Sequence, residues 1–311
     1  MPSDNVKSYL HLHLIVFIWG FTAILGKLIS LEALDLVWYR MLFASLFILI
    51  YIIFNKQSLK ISIKTFFGFS FAGIIIAAHW FTFYEAIKVS NISITLACLS
   101  TGAFFASILE PILYQQKINW SNVLLGLLVI VGLYFIAFAT IIETHGFLKS
   151  FQNIIENKSV PFKGIILAII SAFLSALFSV INGKFAREYN PTLISIYELG
   201  FGIIAISIFM WSVNKFEASF FQITTTDFLW LLVLSSICTA YAFLASVKVM
   251  KVLSPFTVML TINLEPVYGI LLAYFLFTDT ERMSPLFYLG ASFILVSVLV
   301  NGILKLKSNR K

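Results

Sequence analysis

Charge is scarce in this sequence. Only 11% of its 311 residues are Asp, Glu, Lys or Arg, and 60% are hydrophobic, whereas soluble domains carry about 25% charged residues. So little charge cannot cover the surface of a water-soluble protein, and this excludes that class. The sequence therefore predicts a polytopic membrane protein. Its net charge of +7 then reflects how the loops are placed about the membrane and not a surface for nucleic acid.

Cysteine is rare as well, and the motifs of several protein classes are missing. Cys98 and Cys238 both fall in apolar segments, which indicates two buried thiols and no disulfide framework. The sequence has no Walker loop, no Gly-rich dinucleotide turn, no HExxH and no Ser/His/Asp arrangement. These absences exclude ATP-driven pumping by this chain and most enzyme classes, and we expect no cofactor and a protein that is not an enzyme.

What the sequence has in abundance is apolar segments of helix length. About 20 residues at 1.5 Å each span the ~30 Å hydrocarbon core, whereas barrel strands need only about 10 alternating residues. The pattern predicts an all-α integral membrane protein with about ten transmembrane helices. Their predicted spans are residues 10–29, 34–54, 66–87, 92–114, 120–140, 164–185, 192–213, 228–247, 255–277 and 285–304.

Lys and Arg are distributed unequally between alternate sides of these segments. With the N-terminus inside, thirteen lie on the cytoplasmic side and eight on the other, and cytoplasmic loops carry the excess of these residues. We therefore expect both termini in the cytoplasm. The membrane would be the plasma membrane, which is the inner membrane in a Gram-negative bacterium.

The two halves of the chain resemble each other. The longest connection, about residues 141–163, separates five segments from five. Matches follow at offsets of 157 (Gly26-Lys27 with Gly183-Lys184), 158 (Trp38-Tyr39-Arg40 with Ile196-Tyr197-Glu198) and 163 (Ala86-Ile87-Lys88 with Val249-Met250-Lys251). Five crossings per half would invert one copy relative to the other, which is a transporter architecture with its binding site between the repeats. We expect a first repeat over residues 1–145, a linker over 146–163, a second repeat over 164–304 and a basic cytoplasmic tail over 305–311.

The tripeptide Leu-Glu-Pro occurs twice, and one copy places a carboxyl inside the ninth segment. Residues 257–277 contain a single Asp, Glu, Lys or Arg, namely Glu265, which precedes Pro266. A charge at that depth costs about 2.5–3.5 kcal/mol on insertion scales, so we predict that Glu265 faces a transport cavity and couples a proton to transport. The other copy holds Glu110, a coupling or gating candidate. Its offset of 155 does not make it equivalent to Glu265.

Further polar and aromatic residues are candidates for binding a substrate. Thr261 precedes Glu265 by four residues and so shares a helical face with it, whereas Asn263 lies well round the helix. Trp19 in the first segment and Tyr241 in the eighth are aromatic candidates for the same cavity. For Trp19, packing is the alternative.

The third segment ends in an aromatic run. His79 shares a face with Phe83, and Trp80 shares one with Tyr84. Such a row suits a flat or cationic substrate, through stacking and cation–π contact. The alternative is an aromatic belt at the membrane interface, which fits Tyr84 better than His79. His79 has no second His or Cys at ligand spacing and is not a metal candidate.

Two charged residues occupy matching places in the two halves. Arg40 lies about six residues into the second segment, and Glu198 lies at the same place in the seventh. Both are coupling or gating candidates. For Arg40 the alternative is a side chain that snorkels to the interface.

Ten segments in two five-segment halves, the run IWGFTAILGK (residues 18–27) and the Leu-Glu-Pro of the ninth segment resemble the EamA-type drug/metabolite transporters. The resemblance extends over about residues 10–304. It implies ten helices with cytoplasmic termini, an alternating-access cavity and, in many members, export of amino acids, metabolites or drugs.

Two hypotheses remain. The first is a secondary active transporter, an exporter or exchanger of small organic metabolites, amino acids or drugs. Its partners would be the solute, the lipid bilayer and protons as coupling ion, with no nucleic acid. The second is an integral membrane enzyme or lipid-handling protein with intramembrane carboxylates as acid/base groups. The duplication favours the transporter, because an enzyme would be expected to gather catalytic groups in loops near one interface.

Overall fold

Helices form almost all of the chain that the computed structural model describes, namely residues 4–118, 120–145, 162–277 and 283–308. No strand occurs within these ranges, in agreement with the predicted all-α class. The first half contains α1 (Asp4–Leu28), α2 (Ala33–Phe54), α3 (Ile63–Val89), α4 (Ile92–Leu99), α5 (Gly102–Leu113) and α6 (Trp120–His145). The second contains α7 (Phe162–Glu188), α8 (Pro191–Ser212), a short 3-10 turn (Ala218–Phe221), α9 (Thr225–Ser235), α10 (Ala242–Val249), α11 (Pro255–Ile262), α12 (Glu265–Leu276) and α13 (Pro285–Ser308).

Seven segments of the described chain are long and apolar enough to cross a membrane: Val6–Leu28, Ala33–Phe54, Ile63–Val89, Ile92–Leu113, Phe162–Glu188, Pro191–Ser212 and Thr225–Val249. Two shorter apolar helices are Glu265–Leu276 and Pro285–Ser297. Many large apolar side chains lie on the outer surface, among them Phe54 and Phe275, which are 82% and 76% exposed. A surface of this kind suits lipid and not water. The protein is a multi-pass membrane protein.

Several helices extend beyond the apolar spans predicted for them. α1 begins at Asp4, α6 continues to His145 and α13 reaches Ser308, so the predicted tail over residues 305–311 begins as helix. Of the predicted linker over residues 146–163, all but the last two residues lie outside the described chain. α7 begins at Phe162, two residues before the predicted second repeat.

Side chains that accept backbone hydrogen bonds mark where helices begin. The first N–H groups of a helix have no partner within it, and a Ser, Thr or Asn just before the helix satisfies one of them. Ser62 accepts from Thr65 N, Asn91 from Ile94 N, Asn190 from Thr192 N, Thr224 from Asp227 N and Ser254 from Thr257 N. Three of these caps occupy the second half, where they fix the starts of α8, α9 and α11.

The fourth and ninth apolar segments are each broken in the same way. α4 and α11 have eight residues each, and α5 and α12 have twelve each. α11 begins and ends 163 residues after α4, and α12 begins and ends 163 residues after α5. α2 and α8 likewise have 22 residues each at an offset of 158. By this correspondence the counterpart of Glu265 is Gly102. The two Leu-Glu-Pro tripeptides are therefore not equivalent, as their offset indicates.

A π-helical turn, Ser236–Tyr241, joins α9 to α10. The Thr239 hydroxyl donates to the Leu234 carbonyl at 2.7 Å, and the Cys238 carbonyl accepts from Trp19 Nε1 at 3.1 Å. The wider turn alters which side chains of the following residues face the bundle. Turns of this type often occur at functional sites.

The main core lies between the halves. α3 packs against α7 and α8, and α1 packs against α12. Glycines permit the close approaches: a Cβ at Gly73 of α3 would overlap the backbone oxygen of Glu198 on α8, and one at Gly20 of α1 would lie 2.8 Å from the Tyr268 Cβ of α12. Small residues at such crossings are the usual means of packing helices in membranes. The interior of the bundle is thus built from both copies.

Candidate functional site

A cavity of about 80 Å³ opens between the two halves. A water molecule needs about 10–15 Å³ on this measure, so the cavity has room for several. α1, α2, α3 and α4 line one side, and α7, α10, α11 and α12 line the other. Its lining residues are Trp19, Thr22, Arg40, Ile76, His79, Trp80, Phe83, Leu99, Ser175, Phe178, Ser179, Phe243, Ser246, Met250, Met259, Ile262 and Glu265.

Arg40 is the buried cation of this cavity. It is 3% exposed, with Nε donating to Thr239 Oγ1 at 2.7 Å and Nη1 donating to the Tyr84 hydroxyl at 2.9 Å. Its guanidinium carbon lies 3.8 Å from the centre of the Trp80 ring. Arginine suits this setting because its planar group stacks on aromatic faces and forms several directed bonds at once.

Two interpretations made from the sequence are wrong here. Arg40 does not snorkel to an interface, because its guanidinium is held in the interior by Thr239 and Tyr84. Tyr84 does not belong to an interfacial belt, because its side chain is fully buried and its hydroxyl faces Arg40.

Glu265 is the carboxyl of the cavity. It is the first residue of α12 and is 6% exposed. Its Oε1 accepts from Thr22 Oγ1 at 3.4 Å, while the same hydroxyl also donates to the Trp19 carbonyl at 2.7 Å. The N-terminal end of a helix favours a negative charge, and Arg40 is near enough to act electrostatically on Glu265. No ion pair within 4 Å joins Arg40 to Glu265 in the described structure, so the two charges face one cavity without closing on each other.

His79 is anchored on one ring nitrogen. Its Nδ1 lies 2.9 Å from the Ser171 carbonyl oxygen and 2.8 Å from Ser171 Oγ, and Ser171 Oγ donates to the His79 carbonyl at 3.1 Å. A carbonyl only accepts, so Nδ1 is the donor. In a neutral imidazole the other nitrogen, Nε2, is then an acceptor. No group of three potential ligands that could hold a metal ion occurs in the described chain.

Five of the predicted site residues therefore line one cavity: Trp19, Arg40, His79, Trp80 and Glu265. The other five do not line it. Tyr241 is 44% exposed on the outer surface, with its hydroxyl 3.0 Å from His11 Nε2. Glu110 is partly buried near the end of α5.

Thr261 and Asn263 are buried beside the cavity and not in its lining. The Thr261 hydroxyl donates to the Thr257 carbonyl at 3.0 Å. α11 ends at Ile262 and α12 begins at Glu265, so the helical face that Thr261 and Glu265 were predicted to share is interrupted between them. Met259 and Ile262 line the cavity in its place.

The sequence reasoning missed the face that α7 presents. Ser175, Phe178 and Ser179 line the cavity, and Ser171 anchors His79. The recurrence of serine at positions 171, 175 and 179 is readable in the sequence, and four-residue spacing places these side chains on one helical face. Phe243, Ser246 and Met250 follow the π turn and carry no comparable signal.

Glu198 lies outside the cavity, although it matches Arg40 in the repeat. It is fully buried, and neither carboxyl oxygen has a hydrogen-bond partner in the described chain. The Asn182 side chain on α7 is its polar neighbour, and Asn182 is likewise fully buried without a partner.

Comparison with known proteins agrees with this duplicated architecture. A family model described as the EamA-like transporter family matches the chain twice, over residues 6–138 and 162–303. No curated protein matches the chain. One solved structure, described only as the crystal structure of a protein, superposes with a TM-score of 0.67 at 14% sequence identity, over 96% of this chain and 97% of its own. At that identity the likeness extends to the fold alone.

Proposed function

The chain belongs to the EamA-like transporter family, a family of membrane transporters, and we propose that it is a secondary active transporter of small organic solutes that works by alternating access. One observation carries the proposal: the cavity between the two copies is lined by one cation, Arg40, and one carboxyl, Glu265, which form no ion pair with each other in the described structure. In this proposal the helical segments make ten crossings, five per copy, with one copy inverted relative to the other and both termini in the cytoplasm.

The solute class follows from the lining. Arginine has five N–H donors, of which Thr239 and Tyr84 take two in Arg40, and the rest suit a carboxylate. Glu265 suits an ammonium group. Apolar walls at Phe178 and Phe243 suit a side chain between them. A small amphoteric solute, of which an amino acid is the simplest class, satisfies all three.

Glu265 also supplies a means of coupling. A carboxyl shut away from water favours its neutral form and ionises when water reaches it. A cavity that opens to one side at a time exposes it to each solution in turn, so that proton release and uptake accompany solute movement. Exchange of one solute for another needs no such proton.

The test uses purified protein in liposomes loaded with members of an amino-acid panel. We expect saturable exchange, and accumulation of external solute on an imposed pH gradient. Glu265→Gln keeps the shape of the side chain and an oxygen that can accept from the ammonium group, but it cannot titrate, so it should abolish accumulation while exchange, although weaker, remains measurable. Glu85→Gln is the matched control, because Glu85 pairs with the exposed Lys163 away from the cavity. A Glu265→Gln protein that still concentrates solute removes Glu265 from coupling, and absence of exchange for the whole panel refutes the solute class.

The cation is tested separately. Arg40→Gln should lower exchange about 10- to 100-fold, because a hydrogen bond to a charged group contributes about 1.5–3 kcal/mol. Arg187→Gln, at the end of α7 and outside the cavity, should leave exchange within about twofold, as surface substitutions do. Equal losses in the two variants would refute the assignment.

Orientation is tested with reporters. A reporter fused after Lys311 should be active in the cytoplasm, and one inserted near Asn157, which lies outside the described residues, should appear on the other side of the membrane. The unequal placement of Lys and Arg motivates this expectation. A cytoplasmic signal from the Asn157 insertion would overturn the orientation and the inversion together.

A further inference from the structure

Four polar side chains of α7 and α8 are buried without hydrogen-bond partners in the described chain: Ser179, Asn182, Ser195 and Glu198. None is more than 3% exposed. On each helix the two residues are three apart and so lie on one face. Buried polar groups without a partner are rare in folded proteins, and a group of four requires a physical explanation.

No countercharge explains the burial of Glu198. α2, α3, α7 and α10 pack against α8, and the titratable groups of these helices are occupied elsewhere or exposed. Arg40 bonds to Tyr84 and Thr239, His79 to Ser171, Lys184 to the Leu113 carbonyl and Tyr197 to the Leu59 carbonyl, while Lys248 is exposed. The Asn182 side chain on α7 is a polar neighbour of Glu198, although no hydrogen bond joins the two in the described structure. An ionised carboxylate in this position would be an uncompensated charge in the interior.

We propose that Glu198 and Asn182 form a proton-binding site separate from the solute cavity. With a proton bound, the Glu198 O–H donates to Asn182 Oδ1, and Asn182 Nδ2 donates to the remaining Glu198 oxygen. This cyclic acid–amide pair uses all four atoms that lack partners in the two side chains. Loss of the proton removes one of the two bonds and leaves an acceptor facing an acceptor.

The site adjoins the cavity along α7. Ser179, one helical turn before Asn182, lines the cavity, so the two side chains share a face of α7. At the Glu198 backbone, α3 packs so closely that a Cβ at Gly73 would overlap the backbone oxygen. In this proposal a proton reaches Glu198 by way of the cavity. The role of this site in coupling rests on the proposed transport function, whereas the binding of a proton at the site does not.

Infrared difference spectroscopy of the full-length protein in lipid, without solute, tests the binding. We expect the C=O absorption of a protonated carboxyl that disappears in Glu198→Gln and persists in Glu265→Gln and Glu85→Gln. In Asn182→Leu the absorption should move to higher frequency, because a carbonyl freed from a hydrogen bond absorbs higher. Spectra of Glu198→Gln identical to wild type across the pH range would overturn the site.

Transport tests the coupling role. Glu198→Gln should reduce accumulation on a pH gradient about tenfold, within the usual range of coupling energies, and leave exchange unchanged. Accumulation driven by a Na⁺ gradient and indifferent to pH would overturn the role of the proton. If no solute of the panel is transported while the carboxyl absorption behaves as expected, the proposed function fails and the proton site stands.

Discussion

Arg40 and Glu198 occupy the same place in the two copies of the repeat, and their surroundings are opposite. α2 and α8 have the same length and begin 158 residues apart. Arg40 faces the cavity and has Thr239, Tyr84 and Trp80 as partners, whereas Glu198 is fully buried outside the cavity with the Asn182 side chain as a polar neighbour. The duplication therefore preserved the backbone and not the chemistry. What a position does depends on the neighbouring helix.

The broken helices likewise have matching backbones and different side chains. α12 starts with Glu265, and its counterpart α5 starts with Gly102, where a Cβ would lie 2.8 Å from Met259 Cε. The break between α11 and α12 places the Glu265 carboxyl in the cavity. The break between α4 and α5, at Gly102, provides room for the Met259 side chain of the other copy. The site is consequently asymmetric, although the halves that enclose it share one design.

The largest expected effect is on stability, where the two matched charges should differ. Arg40→Leu should lower the free energy of unfolding by about 2–5 kcal/mol, because it leaves a cavity and leaves the buried Tyr84 hydroxyl without its partner. Glu198→Leu should lower it by less, about 1–3 kcal/mol, because it leaves the buried Asn182 amide without the partner proposed for it. Thermal unfolding in detergent measures both, with Arg187→Leu as the control. Equal destabilisation by the two substitutions would mean that Glu198 has a partner as strong as those of Arg40.

The next effect concerns the close contact between α3 and the Glu198 backbone of α8. Gly73→Ala should destabilise the protein by about 1–3 kcal/mol, because the new methyl group meets backbone and not a flexible side chain. Gly200→Ala is the matched control on α8, since nothing lies within 4 Å of its Cβ position, and it should stabilise by up to about 1 kcal/mol through helix propensity. The same detergent unfolding assay distinguishes them. A Gly73→Ala protein as stable as Gly200→Ala would show that the helices can separate there without cost.

The sequence predicted the helical class and the repeat, but not the rotation of each helix about its axis. Hydropathy located the helical segments, and the offsets of 158 and 163 recur in the helix bounds. The inward face of each helix is set by packing against its neighbours, which a single sequence does not state. An interfacial position therefore stayed open as the alternative for Tyr84, although its hydroxyl meets Arg40.

Local breaks in the helices account for other errors. The pattern of four-residue spacing assumed one continuous helix through Thr261 and Glu265, but α11 ends between them. The π turn before α10 leaves Tyr241 on the outer surface. The sequence of this turn contains no Pro or Gly that would indicate a break in the helix. By contrast, Trp19, His79 and Trp80 lie on long unbroken helices and line the cavity.

A smaller effect is expected where Arg40 stacks on Trp80. Trp80→Ala should weaken exchange about 2- to 30-fold, because a cation–π contact contributes about 0.5–2 kcal/mol, and Trp80→Phe should retain part of it. Trp211→Ala, 75% exposed on α8, is the control in the liposome assay. If Trp80→Ala matches wild type at equal expression, Trp80 contributes packing and not recognition.

The smallest effect is expected at the end of the bundle where α1 leads into α2. Lys215, which follows α8, bonds to Glu32, which precedes α2, and lies 3.9 Å from Asp35, so it joins the two copies. The hydrogen bond to Glu32 raises the pKa of Lys215 above its ordinary value of 10.5. A lysine with a raised pKa stabilises the fold fully below 10.5, and this stabilisation is lost as pH rises through the folded-state pKa.

An ion pair as exposed as this one contributes at most about 1 kcal/mol, and salt screens it. Lys215→Gln should therefore change the midpoint of unfolding only slightly at neutral pH, and the difference from wild type should vanish both in about 1 M salt, where the screening length is about 3 Å, and at high pH. The opposite end of the bundle has no comparable pair on Lys184, which donates to the Leu113 carbonyl.

If the end that holds Lys215 must open during transport, Lys215→Gln should also raise exchange up to about fivefold, the factor that about 1 kcal/mol allows. A larger, salt-resistant change would identify the Lys215–Glu32 contact as a gate that holds the copies together, and Glu32→Gln should then reproduce it.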